Sequence, residues 1–166
     1  MATSTGHRLF RNSVDLSEDK RAQLVELLNA RLADVSDLKS QTKYAHWNVR
    51  GMEFIQLHEL FDSVATHLEA QTDLIAERIT ALGGTANGTA RQAAKTSSLP
   101  EYELQAVSGE DHVQALTARL GAWAGNVRKD IDKADDIGDK GTSDLLTEVL
   151  RETEKDLWFV EAHLQR

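Results

Sequence analysis

The fold is decided by residues 54–84, which read FIQLHELFDSVATHLEAQTDLIAERITALGG. Apolar side chains recur there every three or four residues between Phe54 and Ile79, and polar side chains occupy most positions between them. This spacing is typical of an amphipathic helix that buries one face. Because the Gly83–Gly84 pair is a common helix terminator, the stretch predicts one long helix that stops at the two glycines.

Three more segments have the same helical periodicity. They cover about residues 17–50, 109–136 and 142–164. Residues 83–108 hold the only proline together with several Gly, Ser and Thr, which predicts a long crossover with a short helical piece near residues 91–96. Four helices with a long connection between the second and the third predict an all-α fold, the ferritin-like four-helix bundle.

The composition restricts both the domain organisation and the chemistry. With 166 residues the chain fits one bundle domain, which we expect over residues 16–166 behind a flexible N-terminal tail of residues 1–15. Cysteine is absent, which excludes disulfides, iron–sulfur clusters and thiolate zinc sites. Any bound metal ion would therefore be held by nitrogen and oxygen atoms.

Charge and hydropathy exclude further classes of protein. A net charge of -8 and a pI near 5.2 oppose a broad nucleic-acid-binding surface, which needs clustered Lys and Arg. The sequence has no apolar run long enough for a membrane helix and no signal-peptide pattern, so a cytoplasmic location is expected. It also lacks a glycine-rich phosphate loop and a nucleophile elbow.

Two pairs of side chains on the long helix have a spacing that suits metal ligands. His58 and Asp62 are four residues apart, as are Asp73 and Glu77, so each pair projects from one helix face. The step from Asp62 to Asp73 turns the helix by ~1100°, which is within about 20° of three full turns. Both pairs therefore face the same way.

One helix cannot close a metal site with both pairs. The same step is a rise of ~16 Å, whereas metal–oxygen bonds are about 2 Å long. Two antiparallel copies of the helix would place His58 opposite Glu77 and Asp62 opposite Asp73, because both pairings share one midpoint. The spacing therefore predicts a twofold dimer with two identical sites, each shared between the chains.

His46 can complete each site. It precedes the Gly51 turn at the end of the first helix, so an antiparallel hairpin would fold it back toward His58. Two imidazoles and three carboxylates suit Fe(II), Mn(II) or Zn(II), and iron is our first choice. The Glu-x-x-His motif of ferritin-like bundles is absent, which favours a shared site. The alternative is that these side chains are solvated polar positions on a surface helix.

A longer pattern contains these residues. Its segments are KYAHWNVRG (43–51), LHE (57–59), FD (61–62), DLIAER (73–78), LGG (82–84) and LWFVE (157–161). Together with the crossover proline, they resemble the signature of the Dps family, the DNA-binding proteins from starved cells. The resemblance covers nearly the whole chain beyond the first fifteen residues.

The resemblance implies a hollow dodecamer with ferroxidase centres at its twofold interfaces. His46, His58 and Asp62 of one subunit would bind iron together with Asp73 and Glu77 of the twofold partner. The implied reaction is oxidation of Fe(II), preferentially by hydrogen peroxide, with storage of Fe(III) mineral and protection of DNA from oxidative damage. Zinc or manganese would be substitutes for iron at these ligands.

Further side chains are assigned roles near the metal or its path. Lys43, one turn before His46, is expected to orient a carboxylate or a water molecule. Trp47 is expected to pack in the structure, with electron donation to an over-oxidised site as the alternative. Asp139 and Asp144 belong to an acidic stretch, which is either solvated surface or, as in Dps-like shells, the lining of an ion pore.

DNA binding is where the sequence departs from the best-known Dps pattern, in which a lysine-rich tail contacts the duplex. Arg8 and Arg11 are the candidate DNA contacts, and twelve copies of the tail would add avidity. Because the body is acidic, we expect DNA binding to be weak and salt-sensitive or absent. The alternative function is a nucleoid-associated, DNA-compacting structural protein with secondary iron binding.

Overall fold

The computed structural model describes residues 9–165, in which helices and loops are present and no β-strand forms. The helices are α1 (Glu18–Asn48), α2 (Phe54–Ala81), α3 (Ala90–Thr96), α4 (Gly109–Ile137) and α5 (Lys140–Glu161), with a 3-10 turn at Ala162–Leu164. The all-α prediction is confirmed, including the short helix within the crossover. In the described part of the chain, no helix combines the length and apolar character needed to cross a membrane.

The bundle consists of two helical hairpins, α1 with α2 and α4 with α5. The predicted apolar stripes face inward, and Phe61 and Trp123 are among the largest fully buried side chains. The Trp123 indole N–H donates to the Thr153 hydroxyl at 3.1 Å, which satisfies its polar atom inside the apolar core. The polar face of α2 stays at the surface, where Asp62, Asp73 and Glu77 are exposed.

Local signals in the sequence fix where the helices begin and end. The Ser17 hydroxyl caps α1, and Ser108 forms a capping box with Asp111 at the start of α4. Gly51, in the tight turn between α1 and α2, has a φ of 119° that disfavours any side chain. This turn reverses the chain and brings the end of α1 beside the start of α2.

The segment before α1 is held against the bundle. The backbone N–H of Phe10 donates to the Gly83 carbonyl at 2.7 Å, and the Asn12 side chain also donates to a carbonyl at the end of α2. These bonds satisfy carbonyl groups that the helix end leaves without partners. Phe10 and Asn12 belong to residues 1–15, which were expected to form a flexible tail, and both are hydrogen-bonded to the end of α2; the boundary at residue 15 stays a prediction. Residues 1–8 lie outside the described part of the chain.

The crossover packs along α1 through polar contacts. Asp34 is fully buried and accepts hydrogen bonds from the Ser98 backbone N–H at 2.6 Å and from the Ser98 hydroxyl at 3.0 Å. The Tyr44 hydroxyl donates to the Leu104 carbonyl at 3.0 Å. The long connection is thus bonded to the bundle at several separate points, of which these are two.

One tryptophan on α5 lies outside the core. Trp158 is 57% exposed in the single chain. Asp156 and Val160 are buried on α5, and a residue midway between them on a helix faces away from the core. The Trp158 ring instead contacts the ring of Phe159, which is also exposed.

Candidate metal centre

The turn between α1 and α2 brings two of the predicted ligands together. His46 is near the end of α1 and His58 is in the second turn of α2, and their rings stack with centroids 3.8 Å apart. The His46 Nδ1 is 2.7 Å from the carbonyl oxygen of His58, and the His58 Nδ1 is 2.8 Å from the carbonyl oxygen of His46. The two residues therefore hold each other in place across the hairpin.

These contacts determine which nitrogen of each ring carries the proton. A carbonyl oxygen only accepts hydrogen bonds, so Nδ1 is the donor in both rings. In a neutral imidazole, Nε2 then keeps its lone pair, which is the form that binds a metal ion. In their neutral forms both rings would thus present Nε2 as a candidate metal ligand.

Asp62 follows His58 by one turn of α2 and faces His46. The Asp62 Oδ1 is 3.9 Å from the His46 Nε2 and 2.7 Å from the Lys43 Nζ. The hydrogen bond from Lys43 lowers the pKa of Asp62, and the positive charge of Lys43 lowers it further. Lys43 therefore contacts a carboxylate, and that carboxylate is a candidate ligand.

Asp73 and Glu77 are exposed farther along α2 and do not join this group within the chain. One surface groove is lined by Lys43, Asp62 and Asp73, so both aspartates lie along the same face. Among residues 9–165, no three His, Asp or Glu side chains gather closely enough to hold a metal ion. A single chain therefore offers two groups of candidate ligands and closes neither around an ion.

Two aromatic side chains border the histidine pair. Trp47 is 67% exposed and therefore does not pack within the single chain, so its packing role stays a prediction. It is adjacent to His46 in sequence, and the helix turns its indole outward. Phe54 was not singled out in the sequence, but its ring centroid is 5.1 Å from that of His58. The four-residue spacing of Phe54 and His58 on α2 is the signal that could have identified this contact.

The two candidate pore residues differ in their surroundings. Asp139 is buried, accepts a hydrogen bond from Arg78 at 2.7 Å and caps the start of α5. Burial is the largest single effect and raises the pKa of Asp139. The hydrogen bonds from Thr142 and Arg78 and the charge of Arg78 together outweigh it, so the pKa is lowered overall. Asp144 is exposed. Of the two, only Asp144 exposes its carboxylate to solvent. The carboxylate of Asp139 instead links α2 to the turn between α4 and α5.

The candidate DNA contacts are only partly described. Arg11 is exposed between Phe10 and Asn12, which are bonded to the end of α2. Arg8 lies outside the described residues. The position of Arg11 is therefore fixed relative to the bundle.

The chain is similar to known proteins over almost its whole length. The model of the ferritin-like domain family matches residues 25–166. The DNA protection during starvation protein of Agrobacterium fabrum is 42% identical over 151 residues, which cover 91% of this chain and 93% of that protein.

Solved structures share the fold at lower identity. DpsA14 from Streptomyces coelicolor superposes with a TM-score of 0.92 at 31% identity, over 97% of this chain and 95% of that one. Dps from Microbacterium arborescens, solved in a high iron form, has a TM-score of 0.83 at 30% identity, over 93% of this chain and 100% of that one. Both in sequence and in fold, the chain thus belongs to the Dps family of ferritin-like proteins.

Proposed function

We propose that the protein is a ferroxidase and an iron-storage protein that oxidises Fe(II), preferentially with hydrogen peroxide, and stores the Fe(III) as mineral. The observation that carries the proposal is the reciprocal histidine pair, in which His46 and His58 donate their Nδ1 protons to each other's carbonyls. This leaves an Nε2 lone pair on each ring, and the His46 Nε2 lies 3.9 Å from the Asp62 carboxylate. Such a mixed nitrogen and oxygen set suits Fe(II), with Zn(II) or Mn(II) as substitutes.

The proposed site is completed by a second subunit. Asp73 and Glu77 of a twofold partner would supply the remaining carboxylates, because an antiparallel pairing of α2 brings them opposite Asp62 and His58. Carboxylates neutralise the added charge as Fe(II) becomes Fe(III), and neutral imidazoles leave room for peroxide. Membership of the Dps family supports extension of this dimer to a hollow dodecamer with the mineral inside.

Entry of iron is proposed to use the acidic end of the bundle. Asp144 is exposed at the start of α5, and copies of it around a threefold axis would concentrate cations at the shell surface. Asp139 would support this region through its contact with Arg78. Substitution of Asp144 by Asn should therefore slow the oxidation of Fe(II) at low iron concentration, where entry limits the rate.

The test of the ferroxidase proposal is anaerobic loading with Fe(II) followed by peroxide. We expect rapid oxidation by the wild-type protein and strong slowing in His58→Ala and Asp62→Ala. His163→Ala is the matched control, because that histidine is exposed and bonds only to the Phe159 and Val160 carbonyls of its own helix end. Equal oxidation rates in all four proteins would overturn the proposal.

DNA protection is proposed to be mainly chemical, through the removal of Fe(II) and peroxide. The name of the Agrobacterium relative supports a protective role, but the net charge of -8 opposes tight DNA binding here. A gel-shift assay of wild type and the Arg8→Gln/Arg11→Gln variant tests this. Strong retardation at physiological salt that depends on both arginines would favour the DNA-compacting role. The arginines are substituted, and the N-terminal segment is not deleted, because Phe10 is hydrogen-bonded to Gly83.

A further inference from the structure

One asparagine of the chain is followed by glycine, and it lies at the start of the crossover. The five asparagines are Asn12, Asn29, Asn48, Asn87 and Asn126, and the residue after Asn87 is Gly88. Asn-Gly pairs often form type I′ turns, in which both residues have a positive φ. Neither Asn87 nor Gly88 has a positive φ in this structure. A tight turn therefore does not account for the pair.

The side-chain amide of Asn87 differs from those of the other asparagines because nothing holds it. Hydrogen bonds to carbonyl or hydroxyl groups fix the amide nitrogens of Asn12, Asn29, Asn48 and Asn126. Within residues 9–165, no hydrogen bond is found for the half-buried side chain of Asn87. Its backbone N–H donates to the Asn29 Oδ1 at 2.8 Å. The residue is thus anchored through its main chain while its side chain can rotate.

The backbone nitrogen of Gly88 is also available. Gly88 is exposed and lies outside the helices, and its N–H donates no hydrogen bond within the described part of the chain. Glycine has no side chain that would hinder the approach of its nitrogen to a neighbouring carbonyl carbon. By contrast, Val127 follows Asn126 inside α4, where backbone N–H groups bond to carbonyls one turn earlier.

We infer that Asn87 is a site of spontaneous covalent modification, at which the side-chain amide becomes aspartate or isoaspartate without an enzyme or a cofactor. Asparagine is one of the thermolabile residues of proteins. The Gly88 nitrogen attacks the Asn87 Cγ and forms a C–N bond. The side-chain nitrogen leaves as ammonia and takes the proton of the Gly88 N–H with it, which produces a cyclic imide.

One water molecule then opens the imide at either of its two carbonyl carbons. Attack at the Asn87 Cγ breaks the new bond and gives aspartate. Attack at the main-chain carbonyl carbon breaks the original peptide bond and gives isoaspartate, in which the main chain runs through the former side chain. Atoms are balanced over the two steps, since one water is consumed and one ammonia is released, and no oxidant or reductant takes part.

The modification changes the start of the crossover in charge and in geometry. Each product replaces a neutral amide with a carboxylate, so the net charge of the chain becomes more negative than -8. Isoaspartate also lengthens the main chain just before Thr89, whose hydroxyl caps α3. Asn29, the partner of Asn87, precedes His46 by roughly 25 Å along α1. The modified position is therefore remote from the candidate metal centre, and the inference is independent of the proposed function.

The test ages the purified full-length protein in near-neutral buffer at physiological temperature and follows one tryptic peptide. Trypsin cuts after Arg78 and after Arg91, and the peptide between them, ITALGGTANGTAR (79–91), has Asn87 as its only side-chain amide. Mass spectrometry should show progressive conversion of the amide to the acid. Isoaspartate should exceed aspartate, because water attacks the more electrophilic main-chain carbonyl more often. Digestion at mildly acidic pH and an unaged sample set the baseline.

Two controls separate this mechanism from general hydrolysis of amides. The peptide LGAWAGNVR (120–128) from the same digest has Asn126 as its only side-chain amide, and it should stay unchanged. Gly88→Ala should slow the conversion of Asn87 several-fold. That variant should fold, because the added Cβ atom would lie no closer than 3.4 Å to the Leu32 side chain. Equal conversion of the two peptides, an unchanged rate in Gly88→Ala, or acid formed without isoaspartate would overturn the inference.

The new carboxylate should also be detectable on the intact chain. Anion exchange in urea should resolve a later peak that grows with ageing and elutes with an Asn87→Asp standard. Asn87→Ser should not develop this peak, because its side chain has no amide to lose. A peak of the same size in aged Asn87→Ser would place the modification elsewhere and would contradict the inference.

Discussion

Lys43 occupies the position beside Asp62 that a metal ion would share. Its ammonium is 2.7 Å from the Asp62 Oδ1, so an arriving cation must displace it. We expect Lys43→Met to raise the affinity for Fe(II) by about two- to fivefold, the range of a surface ion pair. Anaerobic titration calorimetry measures this change.

Lys39 provides the matched control for Lys43. It lies one turn earlier on α1, borders the same groove and pairs with Glu69, which is not a candidate ligand. Lys39→Met should therefore leave Fe(II) affinity unchanged. A loss of affinity in Lys43→Met would mean that the lysine chiefly orients Asp62 rather than competing with the ion.

Gly83 is the residue at which the end of α2 meets the segment before α1. Its φ is +87°, and a Cβ atom would lie 2.5 Å from the Phe10 carbonyl oxygen. We expect Gly83→Ala to destabilise the protein by about 1–2 kcal/mol or more. Gly121→Ala, where a Cβ atom meets nothing within 4 Å, should stabilise α4 by about 0.5–1 kcal/mol. Melting temperatures at equal protein concentration compare the Gly83→Ala and Gly121→Ala variants with wild type. A Gly83→Ala protein as stable as wild type would contradict the expectation.

Residue spacing could predict which side chains are candidate ligands. It could not predict the hydrogen bonds that orient the two histidine rings. His46 and His58 were placed together by helix periodicity and the Gly51 turn, and the structure brings their rings into contact. The reciprocal Nδ1 bonds depend on backbone carbonyls that meet only after the hairpin folds. The exposure of Trp47 in the single chain could not be predicted either, because the apolar character of a side chain does not show whether another chain covers it.

At the scale of elements, the contact between the crossover and α4 should make stability depend on pH. Burial lowers the pKa of His112 below the ordinary value of 6.5, so the native protein binds fewer protons there than the unfolded chain. Stability from this group is therefore complete above pH 6.5 and is lost as the pH falls below it. The free energy of unfolding should fall more steeply with acidification in wild type than in His112→Gln. Parallel curves from denaturant titrations at several pH values would contradict this.

The sequence predicted where the four long helices lie. For the crossover it predicted an interruption between two helices but not the path of the chain. Apolar periodicity and glycine stops located α1, α2, α4 and α5 to within a few residues. The path of the crossover depends on buried partners from far along the chain, such as Asp34 for Ser98. No local pattern encodes such pairs, so this part of the fold could not be derived from the sequence.

At the scale of the whole molecule, the single chain leaves large apolar side chains uncovered. Within residues 9–165, those more than half exposed are Phe10, Trp47, Met52, Ile55, Leu104, Val107 and Trp158. Trp47, Met52 and Ile55 surround the turn that carries the histidine pair, next to the groove lined by Asp62 and Asp73. An apolar rim beside an incomplete ligand set is what a shared interface requires. The oligomer proposal thus connects the ligand spacing with the exposed surface.

The proposed sharing of each site between subunits is testable by mixing defective chains. Random assembly of Asp62→Ala with Glu77→Ala chains makes half of the twofold pairs mixed, and each mixed pair keeps one intact site. Roughly a quarter of wild-type Fe(II) oxidation should therefore return, although each variant alone is inactive. The control mixes wild type with the double variant Asp62→Ala/Glu77→Ala, and it should also retain roughly a quarter, because both sites of a mixed pair are broken. Sites contained within one chain would instead give no activity in the first mixture and about half in the second, so the two mixtures together decide where the ligands of a single iron site come from.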